Sequence, residues 1–189
     1  MNKSLIGTLL ISSTLLLVAT SFLYSQYAVS DDDEGFFTQV KYPGVLPVKD
    51  KTYIAECSSC HMAYSPGLLP QKSWEKVMGN LENHFGDNAE ILPDDNKKIL
   101  AYLQKNSAEK SPYYRSKKIM RSLSKNTVVD RITKTPYFLR KHDEIPQKFV
   151  TGNPKVKSFS QCNSCHQNTK NGSFNENEIN IPGVGYWND

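Results

Sequence analysis

The residues able to do chemistry are few: four cysteines and four histidines among 189 positions. The cysteines fall into two copies of one pattern, Cys57–Ser58–Ser59–Cys60–His61 and Cys162–Asn163–Ser164–Cys165–His166, set 105 positions apart. In C-x-x-C-H, two thiols three apart near a helix start can each form a thioether to one vinyl group of the same haem. The imidazole that follows is then held beneath the iron as its proximal ligand. Two copies therefore predict two covalently bound haem c groups. Cys57, Cys60, Cys162 and Cys165 are the candidate attachment points, and His61 and His166 the candidate axial ligands.

Other uses of paired cysteines explain less. Two C-x-x-C knuckles could hold a structural zinc, but such pairs usually lie far closer together, and both histidines would have no role. Local disulfides suit an exported chain and also leave the histidines idle. A thioredoxin-like redox motif needs a βαβ setting, and no strand pattern flanks either pair.

Each iron has a sixth position, and only His84 and His142 remain to fill the two. The spacing Trp74, Val77, Met78, Leu81, His84 and Phe85 predicts an amphipathic helix over residues 71–85, with Pro70 before it and Gly86 after. His84 shares its apolar face. Near His142, Thr135 can cap a short helix, Pro136 fits the first position, and Phe138 lies four residues before the histidine on the same side. Pro146 limits its continuation. Methionine is the rival ligand, at Met62, Met78 or Met120, although Met in an apolar stripe is more commonly packing.

The elements that must position these groups are mainly helical. A helix is expected from Val48 into the first motif at His61, followed by a loop over Tyr64–Pro70 that wraps the haem edge. Asp94–Asp95 opens a helix facing Ile99, Leu100 and Leu103 inward, and Ser111–Pro112 starts another towards Leu123. The Asn- and Gly-rich tail from Asn168 to Asp189 reads as irregular. The expected fold class is thus mainly α, with two c-type haem-binding helical units, long irregular loops and little or no β-sheet. The units divide as residues 31–110 and 111–189. About 80 residues per unit is marginal without a haem to fill each core.

Residues 1–30 read separately. Lys3 precedes an uncharged stretch, Leu5 to Tyr24, and Ala28–Val29–Ser30 forms a small-x-small cleavage site ahead of Asp31–Asp32–Asp33–Glu34. This predicts a secretory signal peptide, with an uncleaved anchor through residues 5–24 as the alternative. Either exports the remainder, and bacterial haem attachment takes place outside the cytoplasmic membrane, so the expected compartment is the periplasm. Loss of residues 1–30 removes Lys3 and no acid, lowering the formal charge from +4 to +3. Two ferric haems with ionised propionates add roughly −2 and leave the protein near neutral. That balance argues against nucleic acid. Lys105 to Lys141 is the exception, with eleven Lys or Arg against Glu109 and Asp130. Within it Arg115, Lys117, Lys118 and Arg121 are candidates to steer an acidic partner, and Arg131 and Arg140 candidates to neutralise propionates.

The phrases ECSSCHMAYSPGLLP, SWEKVMGNLENHFGDNAEI, ITKTPYFLRKHDEIP, CNSCH and INIPG resemble the bacterial di-haem cytochrome c family, often called DHC, over roughly residues 45–184. The phrases around His84 and His142 narrow the resemblance beyond c-type haem in general. It implies a mostly helical electron-transfer protein, not an enzyme, with both haems bis-histidine ligated: His61 and His166 proximal, His84 and His142 distal. The partners it implies are a high-spin monohaem cytochrome c and a membrane b-type cytochrome. The alternatives are a di-haem peroxidase or a haem-based ligand-binding protein, each needing one open iron position.

Overall fold

Asp50 starts the first helix by accepting a hydrogen bond from the Tyr53 backbone N–H at 2.8 Å, which fixes α1 as Lys51–Cys57. The computed structural model describes residues 42–187, so the proposed export segment lies outside them. Helix α1 is shorter at both ends than the expected Val48–His61. The Asp50 cap sets its start, and Ser58–Ser59, whose hydroxyls compete with helical hydrogen bonding, turn the chain at its end. Cys57 therefore rides the last turn, and Cys60 and His61 follow outside the helix.

Helix α2, Gln71–Met78, corrects a larger misreading. The expected helix to Phe85 stops at Gly79–Asn80, a pair of poor helix formers that favours a turn. A 3₁₀ turn over Leu81–Asn83 follows, and His84 pairs with Asp87 through backbone bonds across a tight reversal. Phe85 takes φ +61° in this reversal and Gly86 φ +110°. His84 is consequently carried by a turn and not by a helix face. Helix α3, Pro93–Lys105, has proline at its first position and Asp94 and Asp95 in its first turn, where their charge suits the helix dipole. Its Ile99 and Leu103 are fully buried with Tyr53, Leu69, Trp74 and Met78 in one core cluster.

Helix α4, Tyr114–Ser122, starts slightly later than Ser111–Pro112 suggested. Carbonyls of Tyr42 and Gly44 accept from the Tyr114 and Arg115 N–H groups, satisfying donors of its first turn. Ile119 on this helix packs with Val45 and Leu68 in a second cluster, joined by Leu123, Ile132, Tyr137 and Phe174. Adjacent Leu68 and Leu69 thus feed the two clusters from one buried loop, the expected Tyr64–Pro70 segment with a 3₁₀ turn at Pro66–Leu68.

Helix α5, Pro136–His142, matches its expected cap: Thr135 Oγ1 accepts from the Phe138 N–H at 3.2 Å and donates to Ile132 O at 2.8 Å. Thr135 is fully buried. Thr135→Ala should cost about 1 kcal/mol in urea denaturation, the usual loss for a removed N-cap. An unchanged midpoint would show that α5 is held by packing alone.

The second motif begins α6, Cys162–Cys165. Beyond it the tail is turns and one small antiparallel hairpin, β1 Asn180–Ile181 and β2 Gly185–Tyr186, pairing Asn180 with Tyr186 and Ile181 with Gly185. Residues Val40–Asp189 form one compact unit, with bonds crossing residue 110 repeatedly. Val129 N–H donates to Ser73 Oγ at 3.2 Å. Val45 N–H donates to Gly172 O at 2.9 Å, an approach made at φ +75° for Gly44 and φ +77° for Gly172. A Cβ at either glycine would collide with the opposite backbone. No helix among the described residues is long and apolar enough to cross a membrane.

Candidate haem-binding sites

The two motifs meet their helices at opposite ends: Cys57 ends α1, and Cys162 begins α6. Cys57, Cys162 and Cys165 are half-buried, Cys60 is exposed, and all four are free thiols. Burial pushes the thiols of Cys57 and Cys162 up to about 11. A thiol raised in this way is a poor nucleophile at neutral pH, unlike the lowered cysteine of a redox motif. Among the described residues no three His, Cys, Asp or Glu side chains converge, so a zinc knuckle lacks a ligand set.

At the first site His61 Nδ1–H donates to Met62 O at 2.7 Å, which leaves the Nε2 lone pair for a metal. The ring stacks on Tyr64, centroids 4.5 Å apart. The reversal at His84–Asp87 brings the His84 ring opposite, 6.1 Å from His61 with planes at 33°. At the second site His142 ends α5, with Nδ1–H donating to Phe138 O at 2.9 Å and its ring stacked on Phe138 at 3.8 Å. It stands 6.2 Å from His166 with planes at 70°. The structure therefore brings together His61 with His84 and His142 with His166, each distal candidate beside the nearer motif.

These spacings test the fit of a haem. An imidazole nitrogen sits about 2 Å from its metal, and the ring centre lies about an ångström further back. Two imidazoles on opposite sides of one iron therefore stand roughly 6 Å apart, centre to centre. Both pairs meet that value, too wide for direct contact and right for a shared metal. Burial and the facing histidine lower the basicity of His84 and of His166, the latter to about 4, which keeps both rings neutral and able to ligate. The second site also opens into a cleft of about 1090 Å³, part of it solvent, walled by apolar side chains such as Ile119, Phe138, Val156, Phe159 and Ile181. An apolar slot bounded by two thiols and two facing imidazoles suits a covalently attached haem.

Several residues of the sites gave no signal in the sequence. Tyr64 spans the two, its ring on His61 and its hydroxyl donating to Ser160 O at 2.6 Å, while Gln161 Nε2 donates to Cys60 O at 3.1 Å. Glu176 reaches the second cleft with its ion-pair partner Lys141, 2.9 Å away. Arg115 corrects an expectation: it is buried and lines the second cleft, donating to Tyr137 Oη at 2.8 Å and Phe174 O at 2.6 Å. It is therefore no surface steering charge. Its place beside buried Ser116 and Ile119 on α4 was the available clue. Arg131 lies over the Phe85 ring at 3.9 Å, and Arg140 faces Tyr137.

Comparison with known proteins agrees with this geometry. The family model for dihaem cytochrome c matches residues 53–174. No curated protein matches. Among solved structures, a diheme cytochrome c from Shewanella baltica OS155 is 44 % identical, with 73 % of this chain and 97 % of that one covered and a TM-score of 0.60. The diheme cytochrome c from Rhodobacter sphaeroides is 38 % identical, covering 68 % and 99 %, with a TM-score of 0.61. At that identity and coverage the mainly helical fold and the pair of haem c groups are common property, and the chain belongs to the dihaem cytochrome c family.

Proposed function

We propose that this haem-binding cytochrome is an exported electron carrier, not an enzyme, with both haems ligated by two histidines. The observation that carries the reading is the facing of His84 to His61 and of His142 to His166 at 6.1 and 6.2 Å. Haem supplies a one-electron ferric–ferrous couple, and no substrate bond need be made or broken. The chain's part is to hold the four thiols and four imidazoles fixed. The bonds from His61 to Met62 O and from His142 to Phe138 O lock ring orientation and tautomer. Fixed ligands in both oxidation states keep reorganisation small, which favours electron transfer over chemistry at an open iron.

Export rests on the Leu5–Tyr24 segment, cleaved after Ser30 or kept as an anchor, and the compartment is the periplasm. The partners are redox proteins, a high-spin monohaem cytochrome c and a membrane b-type cytochrome. Lys117 and Arg121, both exposed on α4, are the charges best placed to meet an acidic one.

His84→Ala and His142→Ala should each convert about half of the haem to a high-spin form, read from the absorption spectrum of the purified holoprotein. Carbon monoxide should scarcely bind the reduced wild type and should bind one haem in each variant. A Met–iron charge-transfer band in the wild type, or ready carbon monoxide binding, would refute bis-histidine ligation and favour a peroxidase or ligand-binding protein.

A further inference from the structure

The distal histidine of the first site sits in a strained reversal. His84 follows a 3₁₀ turn over Leu81–Asn83 and precedes Phe85 at φ +61°, a left-handed conformation that a bulky side chain rarely adopts. Main-chain bonds close the reversal: His84 N–H donates to Asp87 O at 2.7 Å, and Asp87 N–H to His84 O at 3.4 Å. The Phe85 ring stands beside the His84 ring, centroids 4.8 Å apart, and is 43 % exposed.

Arg131 covers that ring, its guanidinium carbon 3.9 Å from the centroid. It comes from the second half of the chain, and its neighbours are fixed to the first. Val129 N–H donates to the buried Ser73 Oγ at 3.2 Å, and Val129 and Ile132 both pack on the first core cluster. Asp130 pairs with Lys134 at 3.0 Å and with Lys76 of α2 at 3.9 Å. The residues on either side of Arg131 are thus anchored to α2 and the core beneath it. A planar, weakly hydrated guanidinium covers an aromatic face at little cost in desolvation.

We propose that Arg131 is a positioning residue for the first haem site: its stack on Phe85 keeps the reversal in its left-handed form and so holds the His84 ring opposite His61. The reason is mechanical. Rotation about the Phe85 N–Cα bond turns the Phe85 side chain against the peptide that carries His84. With the ring held on Arg131 that rotation is blocked. Without the stack the reversal can relax to negative φ, the His84–Asp87 pair opens, and the histidine is carried away from His61. The second half of the chain thereby controls the sixth ligand of the first site. This rests on His84 being that ligand.

Carbon monoxide is the probe, because it combines with a reduced six-coordinate haem only while a histidine is away. In the full holoprotein Arg131→Gln should raise the rate of carbon monoxide binding at one haem about fivefold, the worth of one exposed cation–π contact. The C–O stretching band of the product should match that of His84→Ala and not that of His142→Ala. Phe85→Leu should raise the same rate alike, and the double variant should bind no faster than Phe85→Leu alone. An Arg131 acting through its charge on His84, or on a propionate, would keep its full effect in the Phe85→Leu background, and that result overturns the proposal. So does an unchanged rate in Arg131→Gln, or an equal rise at both haems, the mark of general loosening. Ready carbon monoxide binding by the wild type would instead refute ligation by His84, a separate outcome.

Discussion

Serine at both Cys162 and Cys165 should leave the purified protein lighter by one haem, seen by intact mass, with half the wild-type haem per chain. The loss should also be structural. The second cleft is walled by apolar side chains and partly open to solvent, and without its haem the enclosed part is left unpacked. An unfilled apolar space forfeits packing contacts and costs stability with its volume. The matching change at Cys57 and Cys60 should remove one haem with a smaller drop in melting temperature, because Cys60 and Phe85 already meet solvent there. If both double variants retain two covalent haems, the motif assignment fails.

Trp74→Ala is the second large effect. The indole is 4 % exposed in the cluster with Met78, Ile99 and Leu103, and its Nε1–H donates to Pro66 O at 2.8 Å. Truncation of such a ring costs about 3–5 kcal/mol, and Pro66 O loses its shorter hydrogen bond while keeping the one from the Leu69 N–H at 3.4 Å, a further loss of about 1 kcal/mol. Trp74→Phe should recover most of the packing and none of the hydrogen bond. Guanidinium denaturation of the holoprotein followed by far-UV dichroism separates the two. Equal midpoints for the two variants would place the whole cost in the hydrogen bond.

What could be read from the sequence was local. Thr135, Pro136, Phe138 and His142 lie within eight residues, and the cap and stacked ring they suggested are present. The pairing of C-x-x-C-H motifs with spare histidines is likewise short-range arithmetic. The periodic stripe from Trp74 to Phe85 misled because Gly79–Asn80 breaks the helix, a choice made by backbone preference against hydrophobic spacing. His84 still reaches His61, through a turn with a positive φ at Phe85 that no periodicity reports. Arg115 was read as surface because charged side chains usually are. Its bonds to Tyr137 and Phe174 come from residues 22 and 59 positions away, beyond any local pattern. Tyr64 escaped notice for the same reason.

The bonds that tie the two motifs together also set a timetable. Tyr64 to Ser160 and Gln161 to Cys60 join residues 96 and 101 positions apart, and Val45 meets Gly172 across still more chain. Contacts of such separation close late, because the entropy of drawing distant segments together is lost before they repay it. A chain emerging from its amino end displays Cys57 and Cys60 long before Ser160 exists to dock on Tyr64. The half-burial of Cys57 is therefore a condition of the closed fold, and until Tyr64 meets Ser160 the first motif stays as open as a peptide.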